Sequence, residues 1–297
     1  MNTSVTKWKR LGIVPYGSHI DAKLSPSAVQ RVRLFMKYGM RCIIVPQHFM
    51  AKEERLYDRE LALYLCGFAI DNGAYICHLY KTPFPEERFL RLCNMWGNGA
   101  DWIAIPDVVG NGSKTLDLLP IWIDKIKQQS PNARLLLVWQ DGITKQDILP
   151  YIEKGIGVFV GGTTEAKLKN MSWIARLCID NDVYCHIGRV NSERRVRLCR
   201  DIGANSFDGS GWSRFICTLM YLERIIQDKQ MSLFNNTSSI NIKMLSKWIT
   251  TQEQREKVLM INKSQADEYL LNMNNINSDG IGLPKGFSRK QYPILWR

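Results

Sequence analysis

Eight short apolar runs, rich in Val and Ile, alternate along this chain with longer segments whose apolar residues recur at helical spacing. Near-continuous apolar strands separated by amphipathic helices are typical of a parallel sheet covered on both faces. The predicted strands are 11–15, 41–46, 65–70, 102–105, 134–139, 157–161, 183–187 and 205–207. The predicted helices are 26–38, 52–63, 85–97, 114–129, 144–154, 164–181, 192–202 and 212–228. Eight such units within about 230 residues predict an α/β fold, the (β/α)8 TIM barrel, and strand counting leaves an open, doubly wound sheet as the alternative.

The composition of the chain changes after residue 230. The segment FNNTSS at 234–239 is typical of a linker, and a helix is predicted at about 241–261. The last residues, GLPKGFSRKQYPILWR, mix Gly, Pro, basic and aromatic residues. We therefore predict a barrel domain at 1–230 and a C-terminal helical and basic appendage at 231–297.

Bulk properties narrow the class of function. The chain has no run of about 18 apolar residues that would span a membrane, and its first residues do not resemble a secretory signal, which predicts a cytoplasmic protein.

The eight cysteines occur singly, mostly within apolar runs, which favours buried thiols. A metal site is not predicted, because its candidate ligands Cys178, Cys185, His186 and Cys199 lack a usual zinc spacing. The net charge of +12 favours a polyanionic partner, and nucleic acid is the commonest one.

Polar residues follow the predicted strands, where TIM barrels carry their active sites. They are Asp71 after the third strand, Asp107 after the fourth, Gln140 after the fifth, Gly161 and Gly162 after the sixth, His186 to Arg189 at the seventh, and Asp208 after the eighth. A single aspartate there is commonly a turn former or a helix cap. Three aspartates on one rim favour a catalytic site.

Five segments carry a resemblance to a known family. FAIDNGAY, ADWIAIPDVVG, VWQDG, VFVGGTTEAKL and GANSFDGSGWSR resemble, in this order, the active-site segments of guanine transglycosylases, which exchange a guanine in nucleic acid for a 7-deazaguanine base. The resemblance spans about residues 65–215. It implies the TIM barrel and a base-exchange reaction through a covalent aspartyl-glycosyl intermediate.

The resemblance also implies a role for each matching residue. Asp208 would be the nucleophile and Asp71 the general acid and base. Asp107 would bind the guanine edge together with Gln140, and Gly161 and Gly162 would offer backbone N–H groups to the base carbonyl. Arg214 resembles an arginine that contacts phosphate, and we expect His186 either to contact sugar or phosphate or to be structural.

The chemistry of the residues agrees with these roles. Displacing a base from C1′ passes through an oxocarbenium-like state that a carboxylate can capture, and a second carboxylate about 5–5.5 Å away can carry the proton. Repulsion between the two would raise one pKa. Guanine presents N1–H and N2–H donors beside its O6 acceptor, which a carboxylate and an amide or backbone N–H complement. No cofactor is needed.

The chain departs from the tRNA-acting members of the family. Those members end in a zinc site of three cysteines and one histidine, whereas here no Cys follows Cys217 and no His follows His186. The departure resembles the shorter phage and bacterial branch that inserts bases such as 7-cyano-7-deazaguanine into DNA, so DNA is the favoured partner and tRNA the alternative. The resemblance to the phage branch implies that a virus-encoded protein of this kind would act in the host cytoplasm.

Basic and aromatic residues are candidates for contacting nucleic acid. Basic residues cluster in the segment 189–200, and they include Arg189, Arg194 and Arg195. Asn191 or Ser192 could cap the helix that follows and favour a phosphate there. The aromatic candidates for base stacking are Trp212, Phe287, Tyr292 and Trp296, for which a core position is the alternative.

Three other functions remain compatible with the sequence. The first is a tRNA-guanine transglycosylase without the zinc site. The second is a non-catalytic paralogue that binds nucleic acid, or a subunit of a partner transglycosylase, and a homodimer or a partner protein is equally compatible. The third is an unrelated TIM-barrel enzyme acting on a phosphorylated metabolite, which the weak glycine motif GVFVGGTT does not favour.

Overall fold

Eight parallel strands close into a barrel in the computed structural model, which describes residues 13–17, 35, 39–49, 52 and 66–214. The strands are β1 (Val14–Gly17), β2 (Arg41–Ile44), β3 (Phe68–Ile70), β4 (Ile103–Ala104), β5 (Leu135–Trp139), β6 (Gly157–Val160), β7 (Cys185–Ile187) and β8 (Ser206–Asp208). Each strand pairs with its sequence neighbours, and β8 pairs with β1 through Val14↔Ser206 and Tyr16↔Asp208. The predicted (β/α)8 barrel is therefore confirmed.

Helices follow the strands around the outside of the barrel. Those in the described residues are α1 (Ala74–Tyr80), α2 (Glu86–Trp96), α3 (Gly112–Gln129), α4 (Lys145–Ile152), α5 (Thr164–Asp180), α6 (Glu193–Asp201) and α7 (Ser210–Arg214), with short 3-10 turns at Pro46–His48 and Gly97–Gly99. Capping side chains at several N-termini determine where these helices begin. Asn111 accepts a hydrogen bond from the N–H of Lys114 at the start of α3, and Thr144 and Asp147 form a capping box at the start of α4.

The apolar residues form two layers, one inside the barrel and one between the strands and the helices. The interior layer is Tyr16, Ile43, Val45, Ala69, Trp102, Ala104, Leu136, Val138 and Tyr184. The outer layer is larger and joins alternate strand residues, such as Leu137 and Ile187, to helix residues such as Leu119 and Ile174. Strands buried on both faces explain why the strand sequences are almost continuously apolar.

A buried ion pair lies inside the barrel below the cavity described in the next subsection. Asp101 accepts a hydrogen bond from the Tyr16 hydroxyl at 2.6 Å and forms a salt bridge with Arg41. Burial raises the pKa of Asp101, while Arg41 and the Tyr16 hydroxyl lower it. The paired charges satisfy polar groups that would otherwise be costly to bury.

Several predictions fall outside the described residues. They are most of the helices 26–38 and 52–63, the helix 212–228 beyond residue 214, the appendage 231–297, and the aromatic residues Phe287, Tyr292 and Trp296. Seven of the eight cysteines are described, and all seven are buried. None of the helices within the described residues is both long enough and apolar enough to cross a membrane.

Candidate active site

A cavity of about 600 Å³ opens at the carboxyl ends of the strands. Its walls bring together Asp71, Asp107, Gln140, Gly161, Gly162, Arg189 and Asp208. Interior barrel residues, among them Tyr16, Val138 and Phe159, also line it. A second cavity, of about 830 Å³, lies at the opposite end of the barrel between residues that precede the strands, such as Arg134 and Asn205. The first cavity holds seven of the predicted site residues and lies where TIM barrels place their chemistry.

Asp208 is the last residue of β8, and one of its carboxylate oxygens accepts two hydrogen bonds. The Oδ1 atom lies 3.0 Å from Nε2 of His186 and 3.2 Å from the backbone nitrogen of Arg189. The Oδ2 atom has no hydrogen-bond partner within the described part of the chain. The Asp208 side chain is 20% exposed, and it lines the cavity. One oxygen of this carboxylate is therefore fixed while the other is available to a ligand.

His186 lies below Asp208 and outside the cavity wall. It is fully buried, and its ring packs against those of Trp102 and Phe159, each at a centroid distance of 4.6 Å. Its Nδ1 atom lies 2.7 Å from the hydroxyl of Ser206. A contact between His186 and sugar or phosphate is therefore not what the structure provides; the residue supports the nucleophile candidate from beneath.

Asp71 follows β3 directly, and its surroundings make it a weaker acid than an ordinary aspartate. Burial, together with the negative charges of Asp208 and Asp107, raises its pKa to about 7, although the backbone N–H groups of Gly73 and Asn72 act in the opposite direction. A carboxyl group with a pKa near 7 can both donate and accept a proton at neutral pH. This matches the property that sequence reasoning assigned to one of the two carboxylates.

Asp107 is held by two side-chain amides. Asn72 donates to its Oδ1 at 2.9 Å, and Gln140 donates to its Oδ2 at 2.7 Å. Burial raises the pKa of Asp107, and these two donors lower it because they favour the ionised form. Gln140 is fixed in turn, since its Oε1 accepts the N–H of Gly110 at 3.1 Å.

Sequence reasoning did not identify Asn72 as a site residue. Its amide donates to Asp107 and also to the backbone carbonyl of Ile105 at 2.9 Å, and its Oδ1 accepts the N–H of Ala74 at 2.7 Å. Asn72 thus connects the loop after β4 to the start of α1. The sequence did offer one indication of its role, because Asn72 directly follows Asp71 and an Asn at that point can cap the helix that follows.

Gly161 and Gly162 differ in what their backbones can offer to a ligand. The N–H of Gly161 donates to the carbonyl of Trp139 at 3.0 Å, so the prediction that this group faces a base carbonyl is wrong. The N–H of Gly162 makes no hydrogen bond to any residue of the described ranges. Gly162 has a φ of +68°, and a Cβ there would lie 2.3 Å from Oδ1 of Asp141. A side chain at this position would therefore be strained by the backbone conformation and would require Asp141 to move.

Arg189 extends across the mouth of the cavity. It adopts a φ of +57°, a conformation that is uncommon for a residue with a side chain and recurs at functional sites. Its guanidinium donates to the carbonyl of Gly162 and lies 5.4 Å from the ring centroid of Tyr75. Tyr75 is 49% exposed and also lines the cavity, so an arginine and an aromatic ring frame the entrance.

The other predicted nucleic-acid contacts lie outside the cavity. Arg194 is exposed and Arg195 is half-buried near the start of α6. Ser192 is the N-cap residue of α6 but makes no side-chain capping bond, and Asn191 instead accepts the N–H of Gly211 at 2.9 Å. The side chain of Arg214 lies outside what the structure describes.

Trp212 is a core residue and does not stack on a ligand. It is 3% exposed, its indole N–H donates to the carbonyl of Val190, and its ring lies 6.4 Å from that of Phe207. The stacking prediction for Trp212 is therefore wrong, and the alternative, a core position, is confirmed.

Comparisons with known proteins leave the activity open. No family model matches the chain, and no curated protein matches it. One similar solved structure is a catalytic-lysine mutant of the sialic acid aldolase of Ruminococcus gnavus, with 14% identity, a TM-score of 0.49, and coverage of 91% of this chain and 95% of that chain. Another is ligand-free tryptophan synthase of M. tuberculosis, with 12% identity, a TM-score of 0.45, and coverage of 80% and 96%. Similarity at this level carries no conclusion about activity.

Proposed function

We propose that this chain is a base-exchanging transglycosylase, which replaces guanine in DNA with a 7-deazaguanine base. The observation that carries the proposal is the pair Asp71 and Asp208 in one cavity. Among the described residues, two donors hold one oxygen of Asp208 and none holds the other, whereas the pKa of Asp71 is about 7. A nucleophile beside a separate proton carrier is what displacement at an anomeric carbon with retention requires.

The first half of the reaction would form a covalent intermediate. Asp208 attacks C1′ of the sugar, the bond from C1′ to the guanine nitrogen breaks, and Asp71 gives its proton to the departing base. Asp208 is then joined to the sugar as an ester, and Asp71 is a carboxylate.

The second half reverses these steps with a different base. Asp71 removes the N9 proton of the incoming 7-deazaguanine, whose nitrogen attacks C1′ as the bond to Asp208 breaks. Asp208 returns to a carboxylate and Asp71 to an acid. No net proton is consumed, and no redox cofactor is involved.

Asp107 is the group best suited to select a guanine-type base. Its two oxygens already accept from Asn72 and Gln140, and each oxygen has a further lone pair for the N1–H and N2–H groups of the base. The second N–H of the Gln140 amide and the N–H of Gly162 are donors for O6. Because both amides that hold Asp107 are themselves fixed, the site is preorganised for one hydrogen-bonding edge.

The proposal requires the target base to leave its stack. Flipping a base out of a duplex costs a few kcal/mol, because the base is unstacked and unpaired. Contacts between the protein and the neighbouring DNA backbone offset that cost. Arg189 and Arg194 are exposed at or near the rim of the cavity, and the whole chain carries a net charge of +12. In the proposed complex these cations would bind phosphates beside a base that enters the cavity.

An incorporation assay tests the proposal. Labelled guanine and labelled 7-cyano-7-deazaguanine are offered with duplex DNA, single-stranded DNA and tRNA in parallel reactions. Label is expected in DNA with the wild-type protein and not with Asp208→Asn. The matched control is Asp117→Asn, the same substitution at an exposed position of α3, which should incorporate as the wild type does.

Two results would contradict the proposal. Label in tRNA alone would replace DNA with tRNA as the substrate while keeping the base-exchange chemistry. Label in no nucleic acid, together with retained binding, would indicate a nucleic-acid-binding protein without this activity.

A further inference from the structure

His186 is a buried titratable residue with both ring nitrogens partnered, and the reaction scheme above does not use it. Its Nε2 atom faces Asp208 and its Nδ1 atom faces Ser206. The register of the barrel produces this arrangement, because His186 of β7 pairs directly with Ser206 of β8. Ser206 and Asp208 are two residues apart on one strand, so both side chains point to the same side of the sheet.

We infer that His186 and Ser206 are positioning residues that hold Oδ1 of Asp208, so that Oδ2 is the oxygen that attacks C1′. The inference rests on the proposed function. It adds which oxygen of Asp208 attacks, and it predicts that His186 and Ser206 accelerate release of the covalent intermediate more than its formation. The backbone N–H of Arg189 is the second donor to the same oxygen.

The hydrogen-bond directions follow from the partners. An ionised Asp208 can only accept, so Nε2 of His186 carries the hydrogen. In a neutral ring Nδ1 is then an acceptor, and the Ser206 hydroxyl donates to it. Burial lowers the pKa of His186, and the nearby Lys167 lowers it too, against Asp208, which raises it. Tyr16 is the third titratable neighbour, with its ring centroid 5.7 Å from that of His186. The neutral ring with Nε2–H is therefore the form present at neutral pH.

Packing keeps the imidazole in this orientation. Trp102 and Phe159 lie against it at 4.6 Å each, and the residue is fully buried. Because the His186 ring cannot turn, its Nε2–H group has a fixed position, and this group in turn holds Oδ1 of Asp208 in place. Such preorganised support is what precise placement of a nucleophile needs.

The two donors affect the half-reactions differently. In the covalent intermediate Oδ1 is the carbonyl oxygen of the ester, and it becomes part of a carboxylate when the bond from C1′ to Oδ2 breaks. Donors on Oδ1 stabilise the negative charge that develops in this second step, which makes Asp208 a better leaving group. In the first step the same donors stabilise the starting carboxylate, so they give no comparable acceleration.

Nuclear magnetic resonance of ¹⁵N-histidine-labelled protein tests the assignment without any substrate. The chain has four histidines, and His186→Gln identifies the signal of interest by its loss. The expected signal is that of a neutral ring with Nε2 protonated and Nδ1 unprotonated, unchanged from pH 7 to pH 8. An Nδ1–H tautomer, or a ring that titrates within that range, would overturn the inference.

Kinetics of the covalent adduct test the predicted effect on the two steps. The double variant His186→Leu with Ser206→Ala removes both partners together, so the Ser206 hydroxyl is not left buried without its His186 acceptor. We expect release of the adduct by an incoming base to slow by about 100-fold, while its formation changes by less than about 10-fold, so that the adduct accumulates. In His186→Gln the amide N–H replaces the donor, and release should recover to within about 10-fold of the wild type.

The outcomes separate this inference from the proposed function. Equal slowing of both steps, without recovery in His186→Gln, would mean that the pair is merely structural and would overturn the inference. If the wild type forms no adduct with any nucleic acid, the proposed function fails. The resonance measurement then decides by itself whether His186 holds Asp208 as assigned. If the double variant does not fold, Ser206→Ala alone is used in the same kinetic comparison.

Discussion

At the scale of single residues, two aspartates that face one cavity have different surroundings. Asp208 ends a strand and receives two hydrogen bonds on one oxygen. Asp71 is supported mainly by backbone N–H groups, and burial together with the charge of Asp208 raises its pKa to about 7. These different surroundings support the proposed division of roles, in which Asp208 is the nucleophile and Asp71 the proton carrier.

We predict that Asp71→Asn makes the protein more stable at alkaline pH. The pKa of Asp71 is raised from 3.8 to about 7 in the folded state, so ionisation opposes folding. The variant should gain almost nothing below about pH 3, where the carboxyl is protonated in both the folded and the unfolded state. The gain should grow between pH 4 and pH 7 and level off above, at up to about 4 kcal/mol. Urea unfolding of both proteins at several pH values measures it, and a difference independent of pH would contradict the assigned pKa.

We predict that Asp107→Ala loses base selection while retaining the covalent step. The variant lacks the acceptor for the N1–H and N2–H groups, so discrimination between guanine and adenine should fall by about 10- to 100-fold. Competition between the two labelled bases measures this ratio. Asp117→Ala, on the exposed face of α3, is the control, and unchanged discrimination in Asp107→Ala would remove this residue from the base-binding site.

At the scale of elements, the loops after β5 and β6 are tied to each other. Asp141 accepts two hydrogen bonds from Thr163, one from the backbone N–H and one from the hydroxyl, both at 2.7 Å. The Thr163 hydroxyl also accepts the N–H of Ala166 at the start of α5. Gly162 directly precedes Thr163 in the loop after β6. The position of its N–H therefore depends on the loop after β5 as well, through the contacts of Asp141 with Thr163.

We predict that Gly162→Ala costs more stability than Gly142→Ala. Both glycines have a positive φ, but a Cβ at Gly142 meets nothing within 4 Å, whereas at Gly162 it would lie 2.3 Å from Asp141. The backbone cost alone is about 1–2 kcal/mol, and the clash should bring the loss at Gly162 to about 3 kcal/mol. Denaturant unfolding compares the two variants. Equal losses would mean that Asp141 moves aside freely.

The sequence predicted the strands better than the first turns of the helices. All eight strands occur in the predicted order, because a strand buried on both faces has a distinctive composition. The first strand was placed at 11–15 and occurs at Val14–Gly17, where it pairs with β8. Helix α1, Ala74–Tyr80, was not predicted, because it has only seven residues and begins within the polar segment that carries Asp71.

Most members of the candidate site could be predicted from the sequence, but Asn72 and the hydrogen bonds within the site could not. Asp71, Asp107, Gln140 and Asp208 lie together because parallel strands end on one rim, which strand positions alone imply. The roles of His186 and Gly161 depend on partners about 20 residues away along the chain, Asp208 and Trp139. No local pattern encodes those hydrogen bonds.

At the scale of the whole molecule, the net charge of +12 has a measurable consequence. Binding that depends on phosphate contacts releases counterions, so affinity falls steeply as salt rises. We predict that the dissociation constant for DNA rises by at least about 10-fold between 50 and 200 mM salt, measured by fluorescence anisotropy. An affinity independent of salt would contradict a polyanionic partner.

The central claim is that Asp208 forms a covalent bond to the sugar during base exchange. The most direct test is to incubate the protein with guanine-containing DNA, denature it, and map any protein–DNA adduct by peptide mass spectrometry. The account predicts an adduct on Asp208 in the wild type, no adduct in Asp208→Asn, and a loss of exchange of about 10³-fold or more in a variant that still folds and binds DNA. An adduct on another residue, or exchange at the wild-type rate in Asp208→Asn, would contradict it.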